Sequence, residues 1–211
     1  MNQDFIKSTL SLRGKVKGKK WLGNLPDIIK TYETKWGLKS KGTFPELSIN
    51  FVEKAQTKNG EEVVLKIGFP GDEEFIRETK ALEIYNGNGA VRILNEDLEN
   101  SVLLLEACLP GKPLHSLNNE EKEILIFTNT CKRIWKKVPQ DSGFENLSDE
   151  IKYFDWYFKN EKKAQKHLPK ELVIKTQEKF QNLIATQKEV YLLHSDLHHD
   201  NILSFHISTP L

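Results

Sequence analysis

A loop rich in histidine and aspartate lies near the end of the chain and reads Leu193-His194-Ser195-Asp196-Leu197-His198-His199-Asp200-Asn201-Ile202-Leu203. Within it, Asp196 precedes Asn201 by five positions, and short apolar segments flank the loop. A carboxylate can orient an acceptor hydroxyl and take its proton, while an amide oxygen can hold a magnesium ion beside it. Five residues of loop allow both side chains to point into one cleft. The spacing therefore suits a site for phosphoryl transfer.

Hydrophobic periodicity divides the rest of the chain into three segments. Residues 1–35 have helical spacing, and a second helix is expected to open at Leu25-Pro26-Asp27. Residues 36–108 alternate as strands do around one helix, and residues 109–211 return to helical spacing. The Pro/Gly-rich linker 109–113 marks the boundary between the last two segments. A strand-rich part followed by a helical part predicts an α+β fold and not an alternating βαβ array.

Local signals predict the elements of the strand-rich segment. Residues 47–52 alternate as a strand does, and 58–61 (Lys-Asn-Gly-Glu) are typical of a hairpin turn that leads into a strand at 62–67. We expect Asp72 or a neighbour to cap a helix that runs to about Tyr85. Two further strands are expected at Ala90–Leu94 and Val102–Glu106.

Composition and charge argue against several classes of partner. The hydrophobic fraction of 38% predicts a folded chain. Lys and Arg number 31 and Asp and Glu number 30, so there is no electrostatic reason to expect nucleic acid or an anionic membrane as partner. The first ten residues include Asp4 and lack the apolar core of a signal peptide. Cys108 and Cys131 have no metal-like spacing and suggest free thiols, so we expect a cytoplasmic protein.

The loop is similar to the catalytic loop of aminoglycoside and choline kinases, whose pattern here is His-x-Asp-Leu-His-x-x-Asn-Ile-Leu. Val63–Ile67 resembles the strand that presents the nucleotide-binding lysine of that family. Glu78 stands where the family's helix supplies a carboxylate to the lysine. Val102–Leu114 resembles the hinge, whose backbone groups, here at Glu106 and Cys108, hydrogen-bond adenine. The four motifs occur in the family's order and separation.

The phrases Tyr85–Arg92 and Leu103–Leu114 look especially like one branch of the aminoglycoside phosphotransferase family. This branch contains the streptomycin 6-phosphotransferases and the hydroxyurea antibiotic resistance kinases. The resemblance covers about residues 35–205, and the helical start fits the branch more loosely. It implies an aminoglycoside O-phosphotransferase, a kinase that uses ATP and Mg²⁺ to phosphorylate an alcohol group of a small molecule.

The resemblance also implies a two-lobed protein-kinase-like fold. We expect residues 1–35 to form an N-terminal helical segment. Residues 36–108 would form a nucleotide-binding N-lobe with an antiparallel sheet and one helix. Residues 109–211 would form an incomplete, helical C-lobe that carries the catalytic loop 194–201.

The resemblance assigns roles to four side chains. Lys66 would bridge two phosphates of the nucleotide, held in place by an ion pair with Glu78. Asp196 would be the catalytic residue that orients the acceptor hydroxyl, and Asn201 would ligate Mg²⁺.

The other polar residues of the loop are interpreted as structural. His194 and His198 are expected to hydrogen-bond the loop, and Asp200 is expected to be a solvated turn residue.

Three features depart from the family pattern. Ser195 stands where the family usually has glycine, and serine does not adopt a positive φ cheaply, so the loop is expected to differ slightly. No Gly-x-Gly-x-x-Gly precedes Lys66, so residues 41–48 would have to cover the phosphates. The family carries a second metal-binding Asp shortly after the Asn, whereas no Asp or Glu follows Asp200 here. The chain is therefore expected to be a C-terminally truncated family member.

Two alternatives remain open at this stage. One is a metal-dependent hydrolase that uses a cluster of imidazoles and carboxylates. Its candidate ligands would be His194, Asp196, His198, His199, Asp200 and His206. The other is a non-catalytic remnant that binds nucleotide without turning it over.

The sequence predicts the class of reaction, but several classes of acceptor fit it. Streptomycin-like aminocyclitols or hydroxyurea are favoured by the branch phrases, while choline, homoserine and methylthioribose-type acceptors stay open. A polycationic acceptor would need an acidic wall, to which Glu145, Asp149, Glu150 and Asp155 would be candidates. No protein partner is predicted.

The missing second metal-binding carboxylate gives a first prediction. The purified 211-residue chain, incubated with ATP, Mg²⁺ and streptomycin, is expected to show little or no phosphotransferase activity, because one of two magnesium-coordinating side chains is missing. Product formation can be followed by mass spectrometry. Robust phosphorylation of streptomycin would contradict the prediction.

Overall fold

The computed structural model describes residues 3–45, 47, 49–139, 141–164 and 166–205. These residues belong to two compact units. The first unit consists of Met1–Lys136 together with Leu193–Leu211, and the second unit consists of Lys137–Leu192.

The secondary structure alternates between helices and short strands. In chain order the elements are α1 (Gln3–Arg13), α2 (Lys15–Trp36), β1 (Leu38–Thr43), β2 (Phe51–Thr57), β3 (Glu62–Ile67), α3 (Glu73–Tyr85), β4 (Ile93–Asp97), β5 (Val102–Glu106), β6 (Pro110–Pro113), a 3₁₀ helix (Leu114–Leu117), α4 (Glu120–Ile134), β7 (Lys136–Lys137), a 3₁₀ helix (Leu147–Glu150), α5 (Ile151–Lys159), α6 (Glu161–Ala164), α7 (Lys170–Thr186), β8 (Tyr191–Leu192), a 3₁₀ helix (His199–Asn201) and β9 (Leu203–Phe205).

An antiparallel sheet forms the centre of the first unit, with strand order β1-β2-β3-β5-β4. The strands of this sheet pair antiparallel and are not joined as parallel βαβ units, so the expected α+β class is confirmed. Strand β4 begins at Ile93, three residues after the start of the strand predicted at Ala90–Leu94. The hairpin turn lies between Thr57 and Glu62 as predicted, and β3 and β5 have the predicted bounds. These strands are the ones that carry the candidate site.

The strand predicted at residues 47–52 is shifted toward the C-terminus, because β2 runs over Phe51–Thr57. Its register explains the shift. A tight hairpin turn requires the preceding strand to pair up to the turn, and Gln56 is paired with Glu62 immediately beside it. Leu47 is buried, but it lies outside any strand.

The two N-terminal helices cover one face of the sheet. Phe5 of α1 and Trp21, Leu25 and Tyr32 of α2 are buried. They share one core with side chains of β2, β3 and β5, namely Phe51, Leu65, Ile67 and Val102. Each side chain buried in this way contributes about 1.5–3 kcal/mol relative to an exposed one. Helices α1 and α2 are therefore part of the core of the first unit.

Helix α2 begins at Lys15 and not at the predicted position near Leu25, so Pro26 lies inside the helix. Proline lacks the N–H that would donate to the preceding turn, and it normally ends or kinks a helix. Here Trp21 and Tyr32, on either side of Pro26, both pack into the core, and this packing outweighs the lost hydrogen bond. The helix ends at Trp36, and Gly37 caps it, because its left-handed backbone lets its N–H donate to carbonyl oxygens of the last turn.

Helix α3 covers the opposite face of the sheet. Phe75 and Leu82 of α3 pack with Leu103 and Leu105 of β5. Since side chains alternate along a strand, residues of β5 with odd numbers face α3 and Val102 faces α2. The predicted cap is confirmed, because Asp72 accepts a hydrogen bond from the Glu74 N–H and the helix ends at Tyr85.

The second unit contains the helices α5, α6 and α7. Tyr157 of α5 is buried and donates a hydrogen bond to the carbonyl oxygen of Leu168, at 2.7 Å. The rings of Phe154 and Phe180 join α5 to α7, with centroids 5.6 Å apart. Within the described parts of both units, no helix is long and apolar enough to cross a membrane.

Glu53 is a buried carboxylate beneath the N-terminal helices. The residue is 4% exposed, and it lies opposite Leu65 in the sheet. Its Oε2 accepts a hydrogen bond from Ser40 at 3.1 Å, while Oε1 has no partner among the described residues. Burial raises the pKa of Glu53 above its usual value, and the negative charge of Glu33 acts in the same direction.

A raised pKa means that the folded protein binds this proton more tightly than the unfolded chain does. The contribution of Glu53 to stability is therefore lost as pH rises from its usual pKa through the raised value. We expect Glu53→Gln to raise the midpoint of thermal unfolding at pH 7 by about 2 °C or more, with a smaller gain at pH 4. Differential scanning fluorimetry at both pH values measures this. The exposed Glu61→Gln serves as control, and a lower midpoint for Glu53→Gln at pH 7 would disprove the expectation.

Candidate active site

Lys66 and Glu78 form an ion pair between the sheet and α3. Lys66 lies on the central strand β3, between Val52 of β2 and Leu103 of β5. Its Nζ donates to both carboxylate oxygens of Glu78, at 2.5 Å and 2.6 Å. The Lys66 side chain is 15% exposed and the Glu78 side chain 36% exposed. A lysine so desolvated needs a negative partner, and Glu78 provides it.

The position of Lys66 follows from strand alternation. Its neighbours Leu65 and Ile67 point into the core beneath α2, so the Lys66 side chain points to the α3 face. Val64, which points the same way, packs against the α3 core. Gly68 then lets the chain pass close to α3, because a Cβ at this position would lie 2.3 Å from the ring of Phe75.

The end of the catalytic loop is held by the segment that follows β5. Strand β6 pairs with β9, the Leu114 N–H donates to the Ile202 carbonyl at 2.9 Å, and the Lys112 N–H donates to Ser204 Oγ at 2.9 Å. Ile202 is buried. These contacts lie within the first unit, which therefore contains Lys66, Glu78 and the loop together.

Asp196 and Asn201 contact each other within the loop. The Asn201 side-chain amide donates to the Asp196 carbonyl oxygen at 2.8 Å and lies 3.4 Å from Asp196 Oδ2. The Asn201 N–H donates to the His198 carbonyl at 3.0 Å. The amide oxygen of Asn201 is an oxygen donor of the kind that Mg²⁺ prefers, and the Asp196 carboxylate lies in the same loop.

Histidines brace the loop. Nδ1 of His198 accepts a hydrogen bond from the Asp200 N–H at 3.3 Å, and its Nε2 lies 3.8 Å from Asp196 Oδ2. His115, from the 3₁₀ helix after β6, places Nδ1 2.9 Å from Asp200 Oδ1. His199 lies 3.7 Å from a carboxylate oxygen of Glu123 in α4. Asp200 is thus exposed but lies beside two imidazoles, and no local sequence signal predicts its contact with His115.

The imidazole of His194 is influenced by charges from both the loop and the ion pair. Partial burial of its imidazole lowers the pKa of His194, although the residue as a whole is exposed. The negative charges of Asp196 and Glu78 act on the same imidazole and oppose the shift. Both candidate carboxylates are therefore close enough to His194 to influence its protonation.

At the predicted hinge, Glu106 is engaged with an arginine that the sequence did not single out. Arg92 donates through Nη2 to Glu106 Oε1 at 2.7 Å, and the Glu106 N–H donates to the Arg92 carbonyl at 2.9 Å. Hydrogen bonding to Glu106 raises the pKa of Arg92. Cys108 is a half-buried free thiol whose pKa is raised by burial and by the charge of Glu106. The adenine contacts expected at Glu106 and Cys108 stay predictions.

Two sequence hypotheses lie partly beyond the described residues. Of the segment 41–48 expected to cover the phosphates, β1 ends at Thr43, and Glu46 and Ser48 are outside the described residues. Across the described part of the chain, no group of three or more His, Cys, Asp or Glu is arranged to hold a metal ion. His206, a proposed ligand of the hydrolase alternative, also lies outside it.

The sequence model for aminoglycoside/hydroxyurea antibiotic resistance kinases matches residues 35–208. The chain belongs to this family. The match begins near the end of α2 and contains β1–β9, so it includes Lys66, Glu78 and the catalytic loop. Helix α1 and most of α2 lie outside the matched region.

Individual relatives in the family carry kinase names. A streptomycin 6-kinase of Streptomyces griseus is 25% identical over 146 residues, which are 69% of this chain and 47% of that protein. A streptomycin 6-kinase of Streptomyces glaucescens is 26% identical over 63% of this chain and 43% of its own length. A hydroxyurea phosphotransferase of Kitasatospora aureofaciens is 32% identical over 49% and 30%, respectively. The chain spans less than half the length of each of these curated relatives.

Ser195 has a left-handed backbone, with φ of 64°. The loop of this family member thus keeps a conformation that favours glycine, although serine occupies the position. A residue with a Cβ in this region is strained by about 1–2 kcal/mol. The sequence predicted that serine would alter the loop; the structure instead shows serine in the strained conformation.

This strain predicts the effect of restoring glycine. Ser195→Gly is expected to raise the midpoint of thermal unfolding by about 2 °C, because glycine adopts a positive φ without a steric penalty. Ser195→Ala is the matched control, since it removes the hydroxyl but keeps the Cβ, and it should give no gain. Both are measured by differential scanning fluorimetry. An equal gain from both variants would assign the effect to the hydroxyl and refute the strain argument.

Proposed function

We propose that this chain forms the nucleotide-binding region and catalytic loop of an ATP-dependent phosphotransferase that acts on an alcohol group of a small molecule. The observation that carries the proposal is that one compact unit contains both an ion pair and a hydrogen-bonded Asp and Asn. Lys66 is paired with Glu78, Asp196 is paired with Asn201, and His194 senses charge from both pairs. Family membership supports the same reaction class.

The donor set fits a nucleotide with its metal ion. Lys66 offers a point charge to phosphate oxygens while Glu78 keeps its ammonium group in place. Asn201 Oδ1 would be a ligand of Mg²⁺, which in kinase sites is bound by one or two side-chain oxygens together with the phosphates. When bound, Mg²⁺ neutralises charge on the phosphates of ATP. Backbone groups at Glu106 and Cys108 are proposed to contact adenine.

The chain's own residues would act mainly by positioning. Asp196 is proposed as the catalytic residue, which accepts a hydrogen bond from the acceptor hydroxyl and takes its proton as the phosphoryl group is transferred. The Asn201 side-chain amide donates a hydrogen bond to the Asp196 backbone carbonyl, and this bond holds the main chain that carries the Asp196 carboxylate. Through the charge on its Nζ, Lys66 would stabilise the phosphate oxygens.

The finer assignments rest on the relatives. The names streptomycin 6-kinase and hydroxyurea phosphotransferase favour an aminocyclitol hydroxyl or hydroxyurea as acceptor, and thus a role in antibiotic resistance. A two-lobed kinase-like architecture with an incomplete C-lobe, the domain boundaries at residues 36 and 109, and a cytoplasmic location are proposed on the same basis.

Nucleotide binding without turnover is the second candidate function. It needs only the pair of Lys66 with Glu78, which lies in the first unit. Both candidates require Lys66 to bind nucleotide, and only the first requires Asp196 to affect a reaction. Binding is therefore the property to measure first.

Removal of the Lys66 ammonium group tests the nucleotide site. Lys66→Ala is expected to weaken binding of Mg²⁺·ADP, measured by isothermal titration calorimetry, by about ten-fold or more, because a charge-assisted contact to phosphate is lost. Lys80→Ala removes an exposed lysine of α3 and serves as the matched control.

Equal affinities for the unmodified chain and Lys66→Ala would refute the proposed nucleotide site. Weak binding by both lysine variants would point to a general charge effect and would also count against it. Circular dichroism of each variant establishes that it is folded before the titration.

A further inference from the structure

The N-terminus of α3 is tied to the end of α1 by a buried ion pair. Arg13, the last residue of α1, donates through Nη2 to Oδ2 of Asp72. The side chains are 21% and 9% exposed, respectively. The Arg13 guanidinium also lies over the ring of Phe69, 5.3 Å from its centroid. This is a desolvated contact, unlike an exposed surface pair that contributes little.

Asp72 has two functions in this contact. Its Oδ1 accepts from the Glu74 N–H at 3.2 Å and so caps α3, while its Oδ2 receives Arg13. The two carboxylate oxygens are thus divided between the helix they begin and the helix that ends at Arg13. Any movement of Asp72 away from Arg13 would also move the first turn of α3.

Arg13 is itself anchored in the core. Phe5 of the same helix packs edge-on against Trp21, with centroids 6.0 Å apart, and Trp21 contacts Phe69 at 5.7 Å. Phe5 and Trp21 are buried with the sheet side chains. Arg13 therefore connects the layer formed by α1 and α2 on one side of the sheet to α3 on the other side.

Glu78 lies six residues after Asp72, about 9 Å further along the helix. A tilt of α3 at its first turn would change the distance from Glu78 to Lys66, whose position is fixed by the sheet. We propose that Arg13 is a positioning residue for the nucleotide site, which holds α3 so that Glu78 stays on Lys66. This inference rests on the proposed function, since it assumes that Lys66 binds phosphate. Arg13 lies outside the family-matched residues 35–208.

A purely structural role for Arg13 would predict a different result. In that case its removal would lower stability but leave the nucleotide affinity of the folded protein unchanged. The ion pair between Lys35 and Asp97 supplies a matched control, because it joins the C-terminal end of α2 to the end of β4, at 2.7 Å, and neither of its partners belongs to α3.

The experiment measures Mg²⁺·ADP affinity by isothermal titration calorimetry at a temperature well below the unfolding midpoint of every variant. Arg13→Ala is expected to weaken affinity by about five-fold or more, as for a typical coupling between two sites. Asp72→Asn keeps a good helix cap but loses the negative charge, and it should weaken affinity likewise. Arg13→Lys should restore most of the affinity. Lys35→Ala should lower the unfolding midpoint only.

A double variant separates positioning from stability. In a Glu78→Gln background, Arg13→Ala should lower the unfolding midpoint again but should not weaken affinity further, since the pair it positions is already disrupted. Affinity that is unchanged in Arg13→Ala, or in Asp72→Asn if Arg13→Ala does not fold, would overturn the inference. Additive losses with Glu78→Gln would do the same. The proposed nucleotide site fails separately, if Lys66→Ala binds Mg²⁺·ADP normally.

Discussion

The ion pair between Lys66 and Glu78 is the constraint on which the first unit depends. An ammonium group on the central strand of a sheet is largely removed from water, and only a carboxylate at hydrogen-bonding distance makes its burial tolerable. The partner must come from a helix packed on the correct face. The alternation of β3 fixes that face, and α3 covers it through Phe75 and Leu82. The sheet thus holds α3 at a distance from β3 at which Glu78 reaches Lys66.

The loop proposed to be catalytic lies far along the chain, since Asp196 follows Lys66 by 130 positions. The distance in sequence is closed by the short β6–β9 ladder, which joins the segment after β5 to the end of the loop. His194 then lies where carboxylates from both parts influence its pKa. The family match covers all of these elements, but the N-terminal helices that complete the core precede it. The chain thus combines family elements with a helical layer that the match does not include.

Local sequence signals were sufficient for the elements nearest the site. The turn before β3, the strand β5 and the Asp72 cap each depend on a few consecutive residues, and each was predicted. Predictions failed where tertiary packing overrides local preference, as when α2 continues through Pro26. Pairings between distant residues, such as Arg13 with Asp72 or Arg92 with Glu106, leave no periodic trace in the sequence. The roles of the site residues remain predictions, because the arrangement of side chains alone does not establish a reaction.

The pairing of β6 with β9 determines which mutations the loop can tolerate. Its contact at Leu114 and Ile202 joins main-chain groups, which every amino acid except proline supplies alike. Codon changes that swap one side chain for another would leave this main-chain hydrogen bond available, whereas the bond from the Lys112 N–H needs the Ser204 hydroxyl. Loss or gain of a whole codon in this short segment is more damaging, because a shift of one residue reverses which side chains face inward. The number of residues in these segments therefore matters more than their side chains for keeping the loop in place.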